Sequence, residues 1–221
     1  MTPAQRRALE RLWPRYGLEL PEEGELDLEA AFGRRAPRVL DIGFGDGTAL
    51  AAQARGRPGW DFLGVEVHRP GVGRLLHTLE REGIGNVRVL GRDVLELLRR
   101  LPPGAFQRVQ LYFPDPWPKK RHHKRRLVQG PFLEGARRVL APGGLLHLAT
   151  DWEGYAAWME EQVAAAGGFL PAARERLDPG EALEEAARAA RAARLGRPET
   201  KFERRARAEG RPIWDLLYRK A

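Results

Sequence analysis

Acidic residues recur in this 221-residue chain where short apolar runs end. Asp41 lies in Arg38-Val-Leu-Asp-Ile42, directly before Gly43-Phe-Gly-Asp-Gly47. Glu66 closes Leu63-Gly-Val-Glu66, 25 residues after Asp41, and Asp93 closes Gly91-Arg-Asp93. Gly43 and Gly45 let a backbone turn sharply and come close to a ligand. A carboxylate at Glu66 suits the two hydroxyls of a ribose, the role an acid takes about 20 residues past a dinucleotide fingerprint. Asp93 can accept from an adenine amino group, or cap a helix. Acids at successive strand ends point to a pocket for a nucleoside-bearing cofactor.

Two such cofactors compete. A pyrophosphate favours G-x-G-x-x-G opening a helix. The spacing here is G-x-G-x-G, with Asp41 two residues before the first glycine. S-adenosylmethionine has no phosphate and carries an amino group and a sulfonium, cations that suit Asp41. The pattern favours the methyl donor over NAD.

A second set of residues follows. In Phe113-Pro-Asp-Pro-Trp-Pro118, prolines on both sides of Asp115 stiffen the backbone and keep it out of a helix. Lys119-Lys-Arg-His-His-Lys-Arg-Arg126 comes next, cations beside an aromatic, which reads as a nucleic-acid grip. His122 and His123 have no spaced acid or Cys partner, so no metal site is expected. Thr150-Asp-Trp152 adds another acid and aromatic, with Asp151 also placed to cap the next helix.

The elements that must position these residues alternate. Strands are expected at Arg38 to Ile42, Asp61 to Val67, Val87 to Leu90, Val109 to Phe113 and Leu145 to Thr150. Helices are expected at Thr48 to Arg55, Gly73 to Glu82, Val94 to Arg100, Leu127 to Leu140 and Glu153 to Ala166. Pro142-Gly143-Gly144 ends the fourth of these helices, and Ile213 to Tyr218 reads as a closing strand. The alternation predicts an α/β, doubly wound, mainly parallel sheet with helices on both faces and ligands beyond the strands' carboxyl ends. Residues 1–34, a basic helix and an acidic linker, and the segment 171–198 are placed outside the core of the 35–221 domain. An Ala/Arg-rich surface helix starts within the latter at Asp178-Pro-Gly-Glu181, with Glu184 four residues before Arg188. Its Arg188, Arg191 and Arg194 are candidates for gripping RNA.

Composition narrows the class. Lys and Arg number 38 against 30 Asp and Glu, a net charge of +8 that suits a polyanionic partner. No cysteine is present, which excludes disulfides, zinc fingers and thiol catalysis. No uncharged run is longer than Val139 to Thr150, which is too short to span a membrane, and no secretory signal opens the chain, so the cytoplasm is expected. Only five of the 38 cations are Lys, and Asn86 is the sole asparagine. A thermophilic habitat and a GC-rich genome both produce that bias.

Asp41 to Gly47, Glu66 to Gly73, Phe113 to Arg126, Thr150-Asp-Trp152 and Thr200-Lys-Phe-Glu203 together resemble the bacterial tRNA (guanine-N7)-methyltransferases, from about Asp41 to Trp214. The resemblance implies a class I methyltransferase (Rossmann-like) fold, S-adenosylmethionine as donor, and a guanine in the variable loop of tRNA as acceptor. It implies donor-site roles for Asp41, Gly43, Gly45, Glu66, Asp93 and Asp115, with Asp115 also the catalytic candidate. It implies substrate contacts by Lys119, Asp151, Thr200, Lys201, Phe202 and Glu203. Two departures stand out. Asp41 replaces a Glu common in the family, and Ala206 replaces a Gly, which predicts a different bend after Glu203. No obligate protein partner is implied, and a monomer or homodimer is expected. The competing readings are a small-molecule methyltransferase, a non-catalytic RNA-binding module and an NAD oxidoreductase. Methylation of bulk tRNA, donor titration and nicotinamide fluorescence separate them.

Overall fold

A computed structural model describes residues 2–179 and 185–221. The chain runs α1 (Pro3–Tyr16), α2 (Leu28–Phe32), β1 (Arg38–Ile42), α3 (Thr48–Gly56), β2 (Asp61–Val65), α4 (Arg69–Arg81), β3 (Val87–Leu90), α5 (Val94–Arg100) and β4 (Phe106–Tyr112). A 3-10 turn (Lys120–Arg125) leads to α6 (Gly130–Val139), β5 (Leu140–Thr150), α7 (Glu153–Ala166), β6 (Phe169–Leu177), α8 (Glu185–Leu195), α9 (Lys201–Ala208) and β7 (Ile213–Lys220). The strands form one sheet in the order β3-β2-β1-β4-β5-β7-β6. The first five are parallel, and β7 runs antiparallel to both β5 and β6. The order reverses between β1 and β4, the point where doubly wound sheets open a ligand crevice.

Strands buried on both faces read as continuous apolar runs, and β1 and β2 do so. One face packs Leu40, Leu63, Val109 and Leu148 under α5, α6 and α7. The other packs Val39, Phe62 and Val89 under α1, α3 and α4. The N-terminal helix, expected outside this core, is part of it: Ala8, Leu12 and Tyr16 are buried beside Val72 and Leu76. Thr2 and Gln5 form a capping box at its start, and Gly17 beyond its end bridges to Val89.

Several elements differ from the sequence reading: α4 starts at Arg69 rather than Gly73, β4 at Phe106 rather than Val109, and three others differ as follows. The stretch 169–177 is a strand, not part of a peripheral segment. It is an edge strand with a bulge between Pro171 and Ala173 and mostly exposed side chains, features that suit a sheet edge and hide its periodicity. Helix α6 starts at Gly130 rather than Leu127, because the basic run takes its own 3-10 turn. Residues Pro142 to Gly144 do not end α6; they lie inside β5, where pairing with β4 shifts register between Phe106 and Arg108. The expected cap at Asp178-Pro-Gly-Glu181 and the pairing of Glu184 with Arg188 involve residues outside the described set.

Candidate active site

The carboxyl ends of β1 and β4 meet at the reversal of strand order. Asp41, Gly43 and Phe44 from the first, and Tyr112 and Phe113 from the second, line a cavity of about 30 Å³. Register places Asp41 opposite Gln110 of β4, so both project from one face of the sheet. Asp41 is buried. Loss of water raises its carboxyl to about 7, with nearby Glu66 adding to the rise, while a hydrogen bond with Gln110 and the charge of Arg108 oppose it. The turn after Asp41 needs glycine at Gly45, whose φ is 63°. The first turn of α9 closes over it: a Cβ on Gly45 would lie 3.5 Å from the Phe202 ring. Phe202 also stacks on Phe113 at 6.0 Å between ring centroids. Lys201 reaches Asp46 at 3.5 Å.

Glu66 joins this cavity to a larger one. Its Oε2 accepts from the Gly45 N–H (2.9 Å) and its Oε1 from the His68 N–H (2.9 Å). On its other side lies a cavity of about 520 Å³ between α1, the start of α4 and Gly91 at the end of β3. Carboxylates on either side of the glycine turn, Asp41 and Glu66, suit a donor that has a cationic amino-acid tail at one end and a nucleoside at the other. Asp93 lines neither. It accepts from the N–H groups of Leu95 (2.9 Å) and Glu96 (3.2 Å) and caps α5.

The rim beyond β4 is strained. Phe113 and Trp117, on either side of Asp115, hold φ of 54° and 41°. Such left-handed backbone costs on the order of 1–2 kcal/mol per non-glycine residue and needs surroundings that enforce it. Phe113 N–H donates to Ala149, the Arg197 guanidinium lies over its ring, and Phe202 stacks on the same ring. Trp117 lies between His122 and Arg125, and Arg126 Nε donates to Pro116. Asp115 is exposed at the crest of this segment. The basic run divides. Lys119, Lys120, Arg121, Lys124 and Arg125 face solvent, whereas Arg126 is buried against the rings of Tyr155 and Trp158.

Behind α9 lies a group of buried charges that the sequence reading did not foresee. Arg197 is fully buried, with Nε and Nη2 donating to the two oxygens of Asp215 (2.7 and 2.8 Å). It also pairs with Glu203, which accepts a second bond from Arg191 (3.1 Å). His147 of β5 is bonded through Nε2 to Asp215 (2.7 Å). Arg108 donates to His147 Nδ1, so Nε2 is the nitrogen that carries the hydrogen toward Asp215. Burial holds His147 down at about 4, with Asp215 opposing, so the ring is neutral. Asp215 remains ionised: Arg197 and His147 hold its carboxyl below the usual range despite its burial. The signal in the sequence was that His147 and Asp215 interrupt the apolar runs Leu145-Leu-His-Leu148 and Ile213-Trp-Asp-Leu-Leu217.

The expected site residues therefore fall into groups. Asp41, Gly43, Thr200, Lys201 and Phe202 surround the smaller cavity. Glu66 lines the larger one and meets Gly45. Asp115 and Lys119 stand on the exposed rim. Glu203 is turned inward to Arg191 and Arg197, and the Thr200 hydroxyl accepts from its N–H (3.1 Å), which caps α9. Asp151 pairs with Arg211 and does not cap α7, where Trp152 holds the cap position without a side-chain bond. Arg191 is largely buried and engaged with Glu203 and Asp215, which takes it away from RNA, whereas Arg194 is exposed and pairs with Glu175 at the surface. The expected difference in bend falls at Ala206, which lies inside α9, its methyl buried with Leu177 and Ile213.

Comparison with known proteins agrees with this architecture. A family profile described as "Putative methyltransferase" matches residues 35–216. The tRNA (guanine-N(7)-)-methyltransferase of Alkalilimnicola ehrlichii is 51% identical over 222 residues, spanning 100% of this chain and 88% of its own length. That of Halorhodospira halophila is 50% identical, spanning 99% and 90%. Among solved structures, the 16S rRNA methyltransferase KamB superposes with a TM-score of 0.64 at 19% identity, covering 93% of this chain and 98% of that one. The likeness to KamB establishes the class I methyltransferase fold. With half its residues shared along essentially its whole length, the chain belongs to the bacterial tRNA (guanine-N7)-methyltransferase family.

Proposed function

We propose that this protein transfers a methyl group from S-adenosylmethionine to N7 of a guanine in the variable loop of tRNA, acting in the cytoplasm. The observation that carries the reading is the pair of carboxylates at the reversal of strand order: Asp41 in one compartment and Glu66 at the wall of the next, bridged by Gly45. Asp41 would hold the donor's ammonium and Glu66 its ribose hydroxyls. When bound, the donor supplies a methyl group on a cationic sulfur.

The acceptor needs no general base. Guanine N7 carries a lone pair and no proton. As the new N–C bond forms and the C–S bond breaks, the bonding pair returns to sulfur and positive charge passes to the purine. Asp115, presented by strained backbone beside the cavities, would accept from the guanine N1–H and amino group and stabilise that charge. The remaining acceleration would come from holding the reactants in line. Lys119 and the exposed cations after it would hold phosphates, with Thr200, Lys201 and Phe202 contacting substrate. Glu203 and Asp151 would act through Arg191, Arg197 and Arg211, as positioning residues. Asp93 would act by fixing the turn after β3.

The test is a reaction of unmodified tRNA with labelled donor, followed by borohydride–aniline cleavage. Scission at a variable-loop guanine supports the proposal. Label incorporated only elsewhere in the RNA, or not at all, defeats it.

A further inference from the structure

The larger cavity has an outer wall that the sequence reading did not assign to the donor site: the N-terminal helix. We infer that Trp13 of α1 forms one side of a slot for the flat purine base of the methyl donor, so that α1 is part of the donor-binding site. This rests on the proposed donor, and extends it to residues 9–19.

Three observations carry the assignment. The first is placement. Trp13 is only half-buried and lines the same cavity of about 520 Å³ that Glu66 borders, so an adenosine with its ribose at Glu66 would bring its base toward the indole. The second is shape. Gly91 lies at the far edge of the indole, where a Cβ would sit 3.8 Å from the ring. Glycine at the end of β3 puts no side chain into the cavity beside the indole, while Val67 and Val72 add apolar surface. A planar heterocycle between an aromatic ring and apolar walls is the arrangement that gains most from stacking.

The third is that the indole is held in place. Gly17 lies directly beneath it: a Cβ there would sit 2.2 Å from the ring, so no other residue fits without displacing it. The Gly17 N–H bonds back to the Trp13 carbonyl, and Leu18 N–H donates to Val89 (2.8 Å), which ties the helix end to β3. The indole Nε1 donates to Glu19 (3.1 Å), and Arg92, on the opposite lip of the cavity, reaches the other oxygen of Glu19 at 3.5 Å. A tryptophan serving only to fill the core would not need an exposed carboxylate latch spanning the mouth of a cavity. With its orientation fixed before binding, little is lost in ordering it on ligand.

The test uses the full-length protein, S-adenosylmethionine and S-adenosylhomocysteine as probes, and equilibrium titration calorimetry with tryptophan fluorescence in parallel. Trp13→Ala should weaken both probes by roughly ten-fold or more, the range of base-on-aromatic stacking. Trp13→Phe should lose only a few-fold, because a ring remains. The fluorescence change on adding S-adenosylhomocysteine should be reduced in Trp13→Phe, and tRNA affinity without donor, read by filter binding, should be unchanged in both variants. Should Trp13→Ala fail to fold, the affinity and fluorescence of Trp13→Phe decide. If both folded variants bind the probes as the parent does, or Trp13→Phe keeps the full fluorescence change, the inference falls while the donor assignment stands. If the parent binds neither probe, both fall.

Discussion

Asp41 is a carboxylate with almost no water around it, and its ionisation depends on what is placed beside it. Without a cation its group sits at about 7. An ammonium brought against it favours the charged form and lowers that value. Donor binding near pH 6 should then expel a proton, and affinity should climb from pH 6 to 7 and level off above. Calorimetry in two buffers of different ionisation enthalpy reads the expelled proton, and Asp41→Asn should abolish it. Equal heats in the two buffers for the parent protein would remove Asp41 from this role. Asp115 makes a different demand. Its task is to meet charge that appears only during transfer, so Asp115→Asn should cost on the order of 100-fold in single-turnover rate with donor affinity nearly unchanged. An unaltered rate would rule out its assignment.

At the scale of elements, the basic segment after β4 holds residues of two kinds. Lys124 is exposed, and Arg126 is wedged against Tyr155 and Trp158. Replacing Lys124 with Ala should lower the slope of log affinity for tRNA against log salt by about one contact, with no loss of stability. Replacing Arg126 with Ala should lower the melting temperature and leave the slope alone. Salt-dependent binding and thermal melts on the two variants check this, and an equal slope change for both would contradict the division. The sequence could not make that division, because a run of cations looks uniform until the turn decides which side chain points inward. Strands β1 to β5 were legible because apolar runs alternate with helical stretches, and the glycine turn and its acids were legible because spacing alone defines them. Strand β6 was not, since Pro171 and exposed charges mask it. The inward turn of Glu203 was not either: its two arginine partners become neighbours only when α8 and α9 pack behind β7.

Across the molecule, the densest set of buried charges is the one that joins α8, α9 and β7. Arg197 answers two acids at once, so Arg197→Ala leaves Glu203 and Asp215 short of a partner and should destabilise the fold by about 3–5 kcal/mol. An exposed change such as Arg204→Ala should stay within about 0.5 kcal/mol, as denaturant melts would read. Acid acts on the fold in two opposed ways. The native state keeps His147 neutral down to about 4, whereas the unfolded chain takes up its proton near 6.5, so stability is lost as pH falls through that window. Asp41 is protonated in the native state up to about 7 but in the unfolded chain only below 3.8, so stability is gained over nearly the same range. Asp41→Asn removes the second effect and should steepen acid destabilisation between pH 7 and 4. Parallel losses in variant and parent would show that the two do not offset.

Strand β7 lies between β5 and β6, although it is the last of the three along the chain. During synthesis, β6 leaves the ribosome with no neighbour to pair with, and the Asp215 that Arg197 requires has not yet been made. Until Ile213 to Lys220 arrive, the sheet ends at β5, and their addition gives β5 and β6 a common neighbour in one step.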